Sequence, residues 1–452
     1  MNPPAQIKDT NVILLAQRAR LAARRLATLP DSLRRQALMS GADALIEQQP
    51  TILSANEHDC QGARALVEKG LMSRAMFDRL QTSESGIRQM AACVREVANL
   101  PDPLGRILAA TELADGLRLE KVSCPLGVIG IVFESRPDVI PQVAALALKS
   151  GNAVLLKGGA EAARTNEALV SILQTAFAGF SEIPKDAISL LHTREDVKEM
   201  LALEDEIDLI ISRGSKEFVR HVATHSRIPV LGHGEGICHV YIDAAADLKK
   251  AYDVAYDSKV QYPAACNAAE TLLVHEAIAN AFLPEMIARF KSAGVEVVGC
   301  RRTVPLLEGC DVVPAIEQDW QTEYSDLRIS VKMVKSLDEA IAHIDRYGSK
   351  HTESIVTEDS EAARQFMEEI DAASVYHNAS TRFADGFRYG LGGELGISTS
   401  KLHARGPVGL EGLTTYKYKL FGNGHTVADF KPRALGQAAV NTTRPVRLRE
   451  LF

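Results

Sequence analysis

The chain has 452 residues, 46% of them apolar and 24% charged, with a formal net charge of −7 at pH 7. A length of that order holds roughly three domains, or fewer and larger α/β ones, and completes a core without staples. The acidic balance excludes a nucleic acid or an anionic membrane as the principal partner while leaving room for a local basic pocket, and no stretch approaches the ~20 apolar residues of a membrane span.

In chain order, Asn11 to Leu29 is basic and amphipathic, with Arg18, Arg20, Arg24 and Arg25 and no acid, as in a mitochondrial presequence. Val12, Leu15, Ala19, Ala22 and Leu26 recur at helical spacing, however, and Pro30-Asp31-Ser32 opens a further helix, so the first helix of a folded domain is the simpler reading. The pattern stays helical to about residue 100, with breaks at Pro30, Pro50 and Gly70. Leu117 to Val122 then alternates as a half-exposed peripheral strand, and Leu126 to Phe133 is a continuous apolar run suited to a central one. Strand and helix alternate onward through Ala153 to Lys157, Ile188 to Leu191, Ile207 to Ile211 and Ile237 to Ile242, the sequence form of a parallel α/β sheet.

Two of these strands run straight into helices, through Lys157-Gly158-Gly159-Ala160-Glu161 and Ser212-Arg213-Gly214-Ser215-Lys216. Unsatisfied N–H groups at a helix start, flanked by Gly, Ser and Lys, make an anion seat; the same residues also serve as ordinary caps, and neither junction is a GxGxxG or Walker loop. Lys157 is the better clue, a cation at the carboxyl end of a strand, where open α/β sheets bind ligands. Cys238-His239 resembles a fragment of a metal site, but neighbours in a strand point to opposite faces, so no metal is implied. The seven cysteines (Cys60, Cys93, Cys124, Cys238, Cys266, Cys300 and Cys310) are odd in number, scattered and without a CxxC pair. They predict a reducing compartment, and the lack of a signal-peptide core points to the cytoplasm.

The segment Tyr262-Pro-Ala-Ala-Cys266-Asn-Ala-Ala-Glu-Thr-Leu-Leu-Val-His275 sets a cysteine among small residues just before an apolar strand. Proline and alanines leave an approach for an electrophilic carbon. Cys266 reads either as a small buried cysteine or as a nucleophile, which needs thiolate character and N–H donors for the oxyanion it creates. A second α/β unit starts near Gly232, with strands over Thr271 to Val274, Val295 to Val298, Ile329 to Val334 and Ala373 to His377. Leu413 to Leu420 and His425 to Val427 flank Phe421-Gly-Asn-Gly424 and predict a late hairpin suited to an interface, and the tail from Lys431 has no clear period. The predicted domains are residues 1–231, with the N-terminal helices, for cofactor binding; 232–410 for catalysis; 411–430 as the oligomerisation hairpin; and 431–452 as a tail.

Five motifs then combine: Cys124 to Pro137, Lys149 to Gly159, Pro263 to His275, Arg346 to Glu353 and His377 to Phe383. In this order they resemble the gamma-glutamyl phosphate reductases, a branch of the aldehyde dehydrogenase superfamily, over about residues 10–430. Leu231 to Asp243 and Thr381 to Gly412 are similar to the reductase half of the bifunctional pyrroline-carboxylate synthases. The resemblance implies an aldehyde-dehydrogenase-like α/β fold, with two Rossmann-like lobes plus a β oligomerisation element made from the strand near 117–122 and the late hairpin. The implied reaction is NADPH-dependent reduction of L-glutamyl 5-phosphate to L-glutamate 5-semialdehyde in proline biosynthesis. It passes through a thioester on Cys266 and releases phosphate.

By motif position, Lys157 and Glu161 match residues that hold the adenosine ribose or its 2′-phosphate in NADPH/NADP+, Gly214 and Ser215 the pyrophosphate turn, and Glu323 the nicotinamide ribose contact. Ser135 and Arg136 in Glu-Ser-Arg-Pro, with Asn378, Ser380, Thr381 and Arg382, are the candidate substrate-binding residues, the arginines by bidentate fit to carboxylate or phosphate. The implied partners are a small acyl phosphate, a separate glutamate 5-kinase and further copies of the chain in a homodimer or homotetramer. Ordinary aldehyde dehydrogenases carry a water-activating glutamate where this chain has Gly232-His233, a departure that suits a reductase. The rival readings are a hydrolytic aldehyde dehydrogenase using Glu235 or His233 as base, and a catalytically silent scaffold, against which the intact Cys266 segment weighs.

Overall fold

A computed structural model describes residues 11–428, apart from 135, 215, 233 and 308–311 and the side chains of residues 75 and 216. The predicted Ser135, Ser215 and His233 roles, Cys310 and the tail therefore lie outside the described residues. Five helices come first: α1 (Val12–Leu26), α2 (Asp31–Glu47), α3 (Gln49–Glu68), α4 (Arg74–Leu80) and α5 (Glu84–Asn99). The Asn11 side chain caps α1 by accepting from the Leu14 N–H, and Arg24 and Arg25 in the last turn complement the helix dipole. Val12, Ala19, Ala22 and Leu26 are buried as predicted, together with Ala16 and Ala23, so α1 packs as a domain helix. No helix among the described residues is long and apolar enough to cross a membrane.

Next comes a hairpin, β1 (Ile107–Ala114) and β2 (Leu117–Pro125), turned at Asp115-Gly116 with Gly116 at φ +71. The first lobe follows with β3 (Val128–Phe133), α6 (Val139–Lys149), β4 (Ala153–Lys157), α7 (Ala163–Ala178), β5 (Ile188–Leu190), α8 (Arg194–Met200), β6 (Leu209–Arg213), α9 (Lys216–His225) and β7 (Val230–Leu231). Its strands form a parallel sheet in the order β5-β4-β3-β6-β7, and β3, the continuous apolar run, is central and wholly buried.

The second lobe holds β8 (Cys238–Ile242), α10 (Leu248–Val260), β9 (Ala269–His275), α11 (Glu276–Ser292), β10 (Glu296–Gly299), β11 (Val313–Pro314), β12 (Arg328–Val334), α12 (Leu337–Tyr347), β13 (Thr352–Val356), α13 (Ser360–Glu369) and β14 (Ser374–His377). Its sheet is also parallel, in the order β11-β10-β12-β9-β8-β13-β14. The chain then crosses back. Leu395, Ala404, Val408, Leu410 and Leu413 are buried in the core of the first lobe, so part of the 232–410 stretch packs with the cofactor-side sheet. A short ladder joins β15 (Ile397–Ser398) to β16 (Gly406–Pro407) within this segment.

The predicted late hairpin is not formed. β17 (Thr414–Phe421) pairs antiparallel with β2, from Thr414 opposite Pro125 to Phe421 opposite Arg118, giving a three-stranded sheet β1-β2-β17. His425 to Val427 is not a strand; its turn is held by His425, whose Nδ1 accepts from the Asn423 N–H and whose Nε2 bonds the Asp115 carbonyl. β17 takes a strand much earlier in the chain as its antiparallel partner along one edge, and among the described residues its other edge is left unpaired.

Candidate active site

The carboxyl ends of both parallel sheets converge on one cleft of ≈ 490 Å³. Its residues come from Glu134 and Arg136 after β3, Arg213 and Gly214 at the end of β6, the Tyr262–Asn267 turn between α10 and β9, Glu323 before β12, and Arg382 after β14. This is where strand ends leave backbone groups and loop side chains free to bind.

Cys266 lies half-buried in that turn, whose backbone is closed by Ala265 N–H on the Tyr262 carbonyl (3.2 Å) and Ala268 N–H on the Ala265 carbonyl (2.9 Å). Among the described residues, neither the Cys266 N–H nor the Asn267 N–H donates to a protein acceptor. Two donors beside a sulfur are what a developing oxyanion requires. Two residues behind the turn fix it. The buried Cys238 thiol donates to the Cys266 carbonyl at 3.3 Å, and burial, reinforced by Glu353, pushes its pKa well up, so it stays a thiol. Gly236 lies flat against the same peptide: a Cβ there would sit 1.9 Å from the Cys266 carbonyl oxygen and 2.7 Å from its Cα. Neither role is visible in the sequence, because both act across the sheet rather than along the chain.

The floor beneath is a buried ion pair. Lys259 Nζ lies 2.6 Å from Glu270 Oε2, both side chains being within 1% of full burial. Burial pushes the Glu270 carboxyl up to about 7 despite the neighbouring ammonium. Its other oxygen accepts the Ser325 N–H at 3.1 Å, anchoring the loop that carries Glu323 into the cleft. Removing either charge alone would leave the other buried and unpaired.

Of the predicted cofactor residues, Gly214 and Glu323 line the cleft with Cys266. Lys157 and Glu161 sit at the adjacent strand end: Lys157 is buried, and burial pulls its ammonium pKa down while Glu161, Asp196 and Glu134 oppose that. The Glu161 carboxylate folds over Gly159 and the Glu134 carboxylate lies against Gly214, so both acidic side chains rest on bare backbone. Among the described residues Lys157 Nζ has no hydrogen-bond or ion-pair partner. A buried, unpaired cation beside a carboxylate at a strand end fits a ribose or its phosphate.

Of the predicted substrate residues, Arg136 and Arg382 line the cleft. Arg382 is nearly buried, its Nε donating to Gln261 Oε1 at 2.8 Å. Asn378, Ser380 and Thr381 are not brought to the cleft wall; they shape the loop behind it. Asn378, at φ +54, brackets Thr357 with both ends of its amide, and Ser380 Oγ accepts the Arg382 N–H and the Ser258 hydroxyl. Glu235 does not line the cleft either, whereas Gly232 does. Arg213, which the sequence placed in a strand-to-helix junction readable as an anion seat or as ordinary capping but did not single out, stands in the cleft as a third arginine.

The family model for the aldehyde dehydrogenase family matches residues 4–323. The gamma-glutamyl phosphate reductase of Synechococcus is 53% identical over 430 residues, covering 94% of this chain and 93% of its own length. That of Natronomonas pharaonis is 53% identical over 412 residues, 91% and 93% of the two chains. The crystal structure of the gamma-glutamyl phosphate reductase of Thermotoga maritima superposes with a TM-score of 0.88 at 43% identity, covering 92% of this chain and 100% of that one. By the matched residues, the shared fold and identity over most of its length, the chain belongs to the aldehyde dehydrogenase family, in its gamma-glutamyl phosphate reductase branch.

Proposed function

We propose that the chain reduces L-glutamyl 5-phosphate to L-glutamate 5-semialdehyde with NADPH, releasing phosphate, as a step of proline biosynthesis in the cytoplasm. The observation that carries this reading is a half-buried cysteine with two free N–H donors, facing arginines across one cleft. Cys266 thiolate attacks the acyl carbon, the oxyanion rests on the Cys266 and Asn267 N–H groups, and the acyl C–O bond breaks to release phosphate and leave a thioester. Lys157, Glu161, Gly214 and Glu323 would hold a nicotinamide cofactor, which would supply a hydride to the thioester carbon, the C–S bond then breaking to free the aldehyde and return the Cys266 thiolate. Gly232, having no side chain, offers no base to a water at the thioester, which favours waiting for hydride over hydrolysis.

The reverse assay tests it. With semialdehyde and NADP+, NADPH production is expected to rise with phosphate concentration and to change little in Glu235→Gln. Equal turnover in phosphate-free buffer, abolished by Glu235→Gln, would make the chain a hydrolytic dehydrogenase.

The preference for NADPH rests on Lys157. Lys157→Ala is expected to raise the KM for NADPH by about 10- to 100-fold, the cost of a lost charge-assisted hydrogen bond, and that for NADH only a few-fold. Equal losses in paired steady-state assays would confine Lys157 to the ribose. The three-stranded sheet exposes Ile107, Leu108, Tyr416, Tyr418, Leu420 and Phe421, which supports a homodimer or homotetramer built through it. A separate glutamate 5-kinase supplies the acyl phosphate.

A further inference from the structure

Arg213, the last residue of β6, takes no part in the steps above. It lines the cleft with Cys266 and is half-buried, and among the described residues its guanidinium makes no hydrogen bond or ion pair. Gly396, at φ +121, passes close beside it, so that a Cβ there would lie 3.5 Å from Arg213 Nε. Burial weighs most against its charge, and the next influence is a second cation, Arg136, ahead of Glu394, Asp138 and Cys266. Arg136 lines the same cleft and is equally unpaired among the described residues. Two neighbouring guanidiniums in a partly desolvated cleft repel each other unless an anion lies between them. Arg382 differs in being held: it lines the same cleft and, like Arg213, has carboxylates nearby, but its Nε donates to Gln261.

We infer that Arg213 and Arg136 form the seat of the departing phosphate, whose two negative charges they match, leaving Arg382 for the single charge of the substrate's α-carboxylate. The assignment rests on the phosphate-releasing reaction proposed above. As the Cys266 sulfur bonds the acyl carbon, the electron pair of the breaking C–O bond passes to the phosphate oxygen. That oxygen takes up a proton from solvent, matching the one the Cys266 thiol gave up, and the two fixed cations hold the resulting hydrogen phosphate dianion. In reverse, the same pair presents a phosphate oxygen to the thioester carbon, and the thiolate leaves.

The test is the reverse reaction with inorganic phosphate varied at fixed semialdehyde and NADP+. Arg213→Gln is expected to raise the phosphate KM by about 10- to 100-fold and to change the semialdehyde KM by less than about threefold, with Arg213→Lys intermediate. As a readout independent of turnover, phosphate should slow alkylation of Cys266 by iodoacetamide in the wild-type protein and not in Arg213→Gln. Circular dichroism and NADP+ binding confirm the fold, and the lysine variant carries the test if the glutamine variant does not fold. A raised semialdehyde KM with phosphate unaffected would put the carboxylate on Arg213 and overturn the assignment, as would two unchanged constants. Wild-type turnover independent of phosphate would instead remove the reaction on which the seat depends.

Discussion

Cys266→Ala is expected to lose hydride transfer by about four orders of magnitude or more, because among the described residues no second cysteine lines the cleft to take over the covalent step. Cys238, whose thiol reaches the same turn, is wholly buried and donates to the Cys266 carbonyl. The loss should be purely chemical. Cys266 is only half-buried and its turn is held through backbone bonds, so removing one sulfur leaves those bonds in place and costs little packing. Single-turnover absorbance at the nicotinamide band, together with equilibrium NADP+ binding and thermal melting, separates the two effects. Residual turnover near the wild-type rate would remove Cys266 from the mechanism altogether.

The second large effect is expected where no reactive group is present. In Gly236→Ala the new methyl would have to share space with the Cys266 carbonyl, 1.9 Å away, and the obstacle is backbone, not a side chain that can rotate aside. The nucleophile turn must shift. A displacement near 1 Å costs about 100-fold in a reaction that depends on attack geometry, so kcat should fall by about that factor or more. Overpacking should cost about 1–3 kcal/mol of stability, and the KM for NADPH should stay close to its wild-type value because Gly236 does not itself line the cleft. The discriminating measurement is kcat beside the rate of Cys266 alkylation. Unchanged values of both would mean that the turn tolerates the shift and that Gly236 positions nothing.

Much of this architecture was legible along the chain. The apolar run of β3, the helical spacing of α1 and the strand-to-helix junction at Lys157 all follow from local pattern, since each element buries its own face. What escaped was settled by distant neighbours. β13 begins Thr352-Glu353-Ser354, polar residues that are nonetheless wholly buried because Glu353 accepts from the His239 backbone and ring. A hydrophobicity pattern cannot mark such a strand. β1 is rich in Ala and Leu, good helix formers, and is a strand because β2 pairs with it; Asp115-Gly116 closes that hairpin, whereas among the described residues the glycines of Phe421-Gly-Asn-Gly424 close none. At the site the motifs led to Cys266, Arg136 and Arg382, all in the cleft. They also drew in Asn378, Ser380 and Thr381, which share a motif with Arg382 but serve its loop. Arg213 and Gly236 required the two sheets to be brought together first.

The return of Leu395, Ala404, Val408, Leu410 and Leu413 to the first core bears on how the protein is made. A ribosome emits the cofactor-side sheet early, yet five of the side chains that seal it emerge only after the whole catalytic lobe. The nascent first lobe must wait with an unsealed apolar surface, the condition under which large chains collect non-native contacts and recruit chaperones. Arg382 lies on the connection that delivers those side chains, so this part of the cleft wall is drawn into place as the last core positions fill. Synthesis thus finishes the fold and the site together.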